Sequence, residues 1–158
     1  NGTSGLSLDT RELNRNKASY TVDTLREIRA EMGEDVSLCL CMGMDSLVSL
    51  DSWYQWQDLL ALSHIAVVGR PGYELPKQGR LAQWIKKHLG GKQGLQERSS
   101  GTLVIENAST LLPISATSVR SGLAQGENIS DQISEGVWRY IIEQGLYGVE
   151  DPSTPKQT

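Results

Sequence analysis

The segment Ile114-Ser115-Ala116-Thr117-Ser118-Val119-Arg120 gathers hydroxyls and a guanidinium at what reads as the start of a helix. Ser115 is the predicted N-cap, Val119 and Leu123 lie four apart on one face, and Gly126 is the predicted stop. The unpaired amides of a helix start and its dipole favour an anion. Ser115 and Thr117 can donate hydrogen bonds to that anion, and Arg120, one turn in, can supply charge. A phosphate group fits this chemistry. An ordinary Ser-capped helix has the same residues, and spacing alone leaves both readings open.

Three other groups carry weaker signals. Gly43-Met44-Asp45-Ser46 offers a residue small enough for a ligand to approach the backbone, and a carboxylate that can accept from ribose hydroxyls. A turn with a solvated carboxylate is the commoner meaning of Gly-x-Asp. Trp53-Tyr54-Gln55-Trp56 places three aromatics in four residues, one of which could face a flat heterocycle; core packing is the reading for Trp56 and the leading one for Trp53. Ser19-Tyr20-Thr21 is a polar helix start able to meet a carboxylate or phosphate, although capping by Thr21 also explains it.

His64 and His88 stand on different elements with no carboxylate or cysteine pattern of a metal site beside them. Cys39 and Cys41, two apart on one strand, point to the same face and form no sensible bridge. They read as reduced, buried thiols unsuited to nucleophilic chemistry. The sequence therefore predicts neither a metal ligand nor a covalent nucleophile.

The elements that must position these groups alternate between strand and helix. Leu6 to Leu13 reads as a short edge strand at best. An amphipathic helix follows, capped by Thr21, with Val22, Leu25, Ile28 and Met32 on its apolar face and Gly33 as its stop. Val36 to Met42 is an apolar run suited to a parallel strand covered on both faces, with Gly43 to Ser46 as its loop. Trp53 to Leu62 is expected as a helix capped by Asp51 or Ser52, burying Trp53, Trp56, Leu59 and Leu60.

Ile65 to Val68 is a second buried strand closed by Gly69-Arg70-Pro71-Gly72. A helix from Arg80 to Leu89 then presents Leu81, Trp84, Ile85 and Leu89, and Gly90-Gly91 ends it. Thr102 to Ile105 is the next strand. The last helix, Ser134 to Gln144, turns Val137, Trp138, Ile141 and Ile142 inward before Gly145. This alternation implies an α/β fold with a parallel sheet, whose ligands belong beyond the carboxyl ends of the strands.

Size and charge narrow the classes. The chain has 158 residues, 38% apolar and 22% charged, enough for a true core and too apolar for disorder. A formal charge of −4 gives no broad electrostatic footprint for nucleic acid, so any anion must be held locally. No apolar run is long enough to span a bilayer and no segment reads as a signal peptide, which makes a cytoplasmic, membrane-free protein the expectation.

Taken together, the residues resemble the bacterial nicotinate-nucleotide adenylyltransferase family. The likeness includes Leu8-Asp9 with Arg11-Glu12-Leu13, Ala18-Ser19-Tyr20-Thr21 with Thr24-Leu25, and Gly43-Met44-Asp45-Ser46. It continues through Trp53-Tyr54, His64, Arg70-Pro71-Gly72-Tyr73, Ile114-Ser115-Ala116-Thr117 with Arg120, and Gly145-Leu146-Tyr147, covering nearly the whole chain in the family's order.

The resemblance implies a Rossmann-like nucleotidyltransferase fold and adenylyl transfer from ATP to nicotinate mononucleotide, in NAD biosynthesis, with Mg²⁺ accompanying ATP. It implies that Ser115, Thr117 and Arg120 hold the ATP phosphates, with Arg120 the catalytic group. It further implies that Gly43 and Asp45 border the adenosine, that Arg70 lies near adenine, and that Thr21, Trp53 and Tyr54 recognise the nicotinate ring and carboxylate. Nicotinamide mononucleotide or phosphopantetheine as acceptor, or a catalytically silent nucleotide-binding module, are the alternatives.

The chain departs from the family in one respect. The family's opening strand and its Gly-x-Phe-Asp-Pro-x-His-x-Gly-His loop have no counterpart here, and the chain contains no Phe. About a quarter of the family's length is unmatched at the amino end. Residues 1–149 are thus expected to form a partial adenylyltransferase domain, inactive alone, and 150–158 a mobile tail. Without the family's first two strands, the Leu6 to Leu13 strand would be separated from Val36 to Met42, leaving two adhesive sheet edges. The 158-residue chain is expected to fold poorly, to self-associate or pair with another chain, or to be part of a longer protein. Denaturant titration checks this, and a cooperative transition of a stable monomer would contradict it.

Overall fold

The computed structural model describes residues 4–69, 72–107, 114–127, 129 and 131–149. Its first helix, α1 (Thr21–Met32), follows from the 3.6-residue recurrence of Val22 and Leu25, both buried. Tyr20, not Thr21, occupies the N-cap and offers no side-chain cap, while Gly33 ends the helix with φ 84°. Met32 is exposed, so the apolar stripe is one turn shorter than its spacing suggests.

Three parallel strands, β1 (Cys39–Gly43), β2 (His64–Gly69) and β3 (Leu103–Asn107), lie side by side in that order. Cys41 pairs with Ala66 and Ala66 with Val104, so Gly43, Val68 and Glu106 share one carboxyl-end edge. Ile65, Val67 and Leu103 face a core completed by Val22, Leu25, Leu47, Leu50, Leu59, Leu81 and Ile85. These come from α1, α2 (Met44–Val48), α3 (Leu59–Leu62) and α4 (Gly79–His88), together with a 3-10 turn at Leu50–Ser52. A one-turn helix, α5 (Gly94–Glu97), interrupts the polar loop before β3.

Several expectations are corrected. The Leu6 to Leu13 segment forms no strand. Leu6, Leu8 and Leu13 are exposed, and the segment runs as loop and turn tied to α1 by charge. Arg11 pairs with Asp9 at 2.6 Å and Glu31 at 2.9 Å, and Arg15 with Glu27 at 2.8 Å. The amide of Arg11 holds the Asp9 carboxyl below its ordinary value. Its residues match an ionic strap, and alternation alone misread it.

Strand β1 begins at Cys39, not Val36, and is not covered on both faces. Leu40 and Met42 pack on the core while Cys39 and Cys41 are free and exposed. Partial burial, reinforced by the neighbouring Cys41, still pushes the Cys39 thiol up and keeps it protonated. The expected loop at Gly43–Ser46 is instead the immediate start of α2. The expected helix from Trp53 to Leu62 is broken at Gln55, whose φ is 48°, into a 3-10 turn at Trp56–Asp58 and the short α3. Asp51 caps no helix there. Its carboxylate and carbonyl accept from Arg80 of α4. Leu89 is exposed just past α4.

Residues 1–109 and 110–158 form two compact units. In the second, α6 (Ala116–Ala124) and α7 (Glu135–Glu143) bury Leu123, Ile129 and Ile141 against Val119, Ile133, Trp138 and Leu146. Val137 is exposed rather than inward. Gly145 follows α7 with φ 58° and leads into a 3-10 turn at Leu146–Gly148. The predicted tail from Glu150 lies outside the described residues.

The first unit is fastened by Arg29, which is 4% exposed and sits in the last turn of α1. Its guanidinium donates to the carbonyls of Gly33 (3.0 Å), Val36 (2.6 Å), Leu62 (2.5 Å) and Ser99 (3.0 Å). Gly33 and Leu62 lie at the carboxyl ends of α1 and α3, where the helix dipole favours a cation. Truncating Arg29 would strand several carbonyls, so Arg29→Ala is expected to cost about 3 kcal/mol or more by denaturant titration. Arg29→Lys is expected to recover little of that, because a lysine cannot span the same fork. A loss under 1 kcal/mol would show that the carbonyls find other partners.

Candidate functional site

In the first unit, the chain enters α1 through Ser19 and Tyr20 and returns through Ser52, Trp53 and Tyr54. These residues and Thr21 line one pocket of about 320 Å³. Tyr54 is about half exposed and its ring meets that of Tyr20, with centroids 4.5 Å apart and planes inclined by 36°. Trp53 is half-buried against the core edge. The backbone amides of Thr21 and Val22 belong to the first turn of α1 and have no acceptor within the helix. Aromatic walls beside a helix start suit a flat ring bearing a carboxylate.

The structure thus brings the predicted Thr21, Trp53 and Tyr54 together and adds Ser19, Tyr20 and Ser52. The part played by Tyr20 was not legible from spacing, because its ring partner lies 34 positions along the chain. The polar helix start at Ser19-Tyr20-Thr21 was the available signal.

At the carboxyl end of β1, Gly43 has an ordinary extended backbone with φ −80°. Its lack of a side chain matters for another reason: a Cβ placed there would push aside the tip of the Asp45 carboxylate, which folds back over the strand end from the first turn of α2. Half-buried Gly43 and exposed Asp45 therefore place one carboxylate acceptor at the sheet edge where an α/β ligand belongs. Arg70, expected at the neighbouring end of β2, lies outside the described residues.

In the second unit, the start of α6 is built as a capping box. Ser115 Oγ accepts from the Ser118 amide at 3.0 Å, and Ser118 Oγ accepts from the Ser115 amide at 3.0 Å. Ser118 replaces the usual Glu or Gln of this motif, which is why its role was not apparent. Thr117 and Arg120 are exposed, and Arg120 Nη2 donates to Thr117 Oγ1 at a long 3.4 Å. The capping reading of this segment is the one the bonds display. Ser115 and the Ser118 amide are committed to the helix, while Thr117, Arg120 and the amides of Ala116 and Thr117 are the groups that could meet an anion.

Neither histidine stands free for chemistry. Buried His64 accepts the Thr102 amide on Nδ1 at 3.1 Å, so its proton sits on Nε2 and is donated to the Arg98 carbonyl at 2.9 Å. His88 Nδ1 bonds the Trp84 carbonyl at 2.9 Å. Among the described residues, no three His, Cys, Asp or Glu side chains gather as metal ligands, and no helix is long and apolar enough to cross a membrane.

Known proteins bear on this arrangement. The cytidylyltransferase-like family model matches residues 4–122. A probable nicotinate-nucleotide adenylyltransferase of Cellvibrio japonicus is 43% identical over 142 residues, covering 90% of this chain and 67% of that protein. A counterpart from Pectobacterium atrosepticum is 41% identical, covering 89% and 67%. The chain thus spans about two thirds of the length of these relatives. Among solved structures, Plasmodium falciparum nicotinic acid mononucleotide adenylyltransferase complexed with APC superposes with a TM-score of 0.61 at 18% identity, over 84% of this chain and 60% of that one. That likeness establishes a shared fold, the Rossmann-like nucleotidyltransferase architecture.

The division of labour within the capping segment can be measured. Ser115→Ala is expected to lower the stability of the α6 unit by about 1 kcal/mol. Thr117→Ala, at an exposed position outside the box, is expected to change it by less than about 0.5 kcal/mol. Urea titration followed by far-ultraviolet dichroism compares the two, and an equal loss in both would place Thr117 in the helix scaffold.

Proposed function

Because the chain belongs to the nicotinate-nucleotide adenylyltransferases within the cytidylyltransferase-like family, we propose that it supplies the acceptor pocket and the phosphate-binding segment for adenylyl transfer from ATP to nicotinate mononucleotide. The observation that carries this reading is the pocket at the start of α1, where Trp53 and Tyr54 flank unpaired helix amides. A nicotinate differs from a nicotinamide by its negative charge. The amides and dipole of α1 reward that charge, and the aromatic walls accept the pyridine ring. Asp23, in the same first turn, is paired with Arg26 at 3.2 Å, which lowers its opposition to an anionic ligand.

In the reaction, a phosphate oxygen of nicotinate mononucleotide attacks the α-phosphorus of ATP. The bond between that phosphorus and the bridging oxygen of the β-phosphate breaks, releasing pyrophosphate and nicotinate adenine dinucleotide. Nucleotidyl transfer of this kind rests on alignment and on charge stabilisation more than on proton transfer. Arg120, Thr117 and the amides of α6 stabilise the phosphates, Gly43 lets a ligand approach the end of β1, and Asp45 accepts from the ribose of adenosine. Arg70 is assigned to the adenine side. Magnesium enters with ATP as part of the substrate.

Activity is assayed in the full-length protein. Arg120→Ala is expected to lower turnover about 100-fold, by loss of charge stabilisation. In parallel, nicotinate mononucleotide is expected to outcompete nicotinamide mononucleotide as acceptor. Unchanged turnover would remove Arg120 from the site, and preference for the amide would overturn the assignment of the pocket.

A further inference from the structure

Tyr54 is fixed from two directions. On one side its ring meets Tyr20 at the start of α1. On the other, Gln55 holds the backbone at φ 48° and ψ 38°, in the left-handed region. Glycine enters that region freely, whereas Cβ of any other L-residue crowds a neighbouring carbonyl. Among the described residues, Tyr147 is the one other non-glycine with positive φ. The Gln55 side chain is exposed, so burial of that side chain does not account for the conformation.

The geometric effect is clear. The Gln55 carbonyl accepts from the Asp58 amide at 3.0 Å and opens the 3-10 turn that buries Trp56. Trp56 then packs edge-on against Trp84, with centroids 5.2 Å apart, and lies under Arg80 at 5.9 Å. A helix continuing from Trp53 through Leu62 would advance about 100° per residue, setting Tyr54 about 100° and Trp56 about 300° around from Trp53. The reversal instead sends Trp56 into the core while Trp53 and Tyr54 line the pocket.

Strained backbone of this kind is retained where the surroundings over-determine it, often beside a bound ligand. We infer that the left-handed turn at Gln55 is a positioning element that sets acceptor affinity by aiming Trp53 and Tyr54 at an aromatic carboxylate. This rests on the reading of the pocket given above. Gln55 acts through its backbone, and it is the conformation that matters, not the amide side chain.

The experiment titrates the full-length protein with nicotinate mononucleotide and separately with ATP, following tryptophan fluorescence. Gln55→Gly and Gln55→Asn, both at ease in the left-handed region, are expected to keep acceptor affinity within about twofold. Gln55→Val, whose branched Cβ resists that region, is expected to weaken acceptor binding about tenfold while ATP affinity stays unchanged. Should Gln55→Val not fold, Gln55→Ala serves in its place with a smaller loss in the same direction. Wild-type acceptor affinity in the Val or Ala variant would overturn the role of the turn and leave the pocket assignment standing. So would a loss in Gln55→Gly as large as in Gln55→Val, since the side chain would then be responsible. No binding of nicotinate mononucleotide by the wild type would overturn the pocket assignment and the inference together.

Discussion

The first unit depends on a buried positive charge that has backbone carbonyls for partners instead of a carboxylate. Arg29 joins the end of α1, the end of α3 and the loop before β3, three pieces of chain separated by as many as 70 positions. A guanidinium can do this because its donors lie in one rigid plane and diverge. Ser99, one of its acceptors, also accepts the amide of Leu38 just before β1. The arginine thereby reaches the loop that sets where β1 begins relative to β3. His64 repeats the device on a smaller scale, joining the first residue of β2 to Arg98 and Thr102 on the same loop. Gly43 and Asp45 sit at the opposite, carboxyl end of this sheet, and their placement inherits the rigidity built at the amino end.

Much of this was legible in the sequence. The 3.6-residue recurrences of α1 and α4, the apolar runs of β1, β2 and β3, and Ser115 ahead of α6 each state a local preference that the packing keeps. Misreadings arose where tertiary context outweighed pattern. Leu6 to Leu13 alternates weakly, yet Arg11 within it and Arg15 just after it find Glu31 and Glu27 on α1, and ion pairs replace strand pairing. Cys39 and Cys41 sit in an apolar run that implies two covered faces, but β1 is the end strand of the described sheet and only one of its faces meets the core. Gln55 carries no local signal for a left-handed turn, since glycine or asparagine is the usual marker.

For the candidate site, residue types announced more than their geometry did. Thr21, Trp53 and Tyr54 were named from the family resemblance, and the fold gathers them in a single pocket. Ser115 illustrates the opposite case, because its hydroxyl was free to bind a ligand or to cap a helix, and only the reciprocal bonds with Ser118 show which duty it performs. The cap leaves the Thr117 hydroxyl and the Arg120 guanidinium exposed, a division that pattern alone could not express.

The closeness of Gly43 and Asp45 has an evolutionary corollary. The tip of the carboxylate occupies the space that a Cβ at position 43 would enter, so the bare glycine is what lets Asp45 rest over the strand end. A lineage that gained a larger residue at 43 would turn the exposed carboxylate aside, moving the acidic group without removing it. Paired retention of glycine and aspartate two positions apart would therefore record a demand for the carboxylate in this one place.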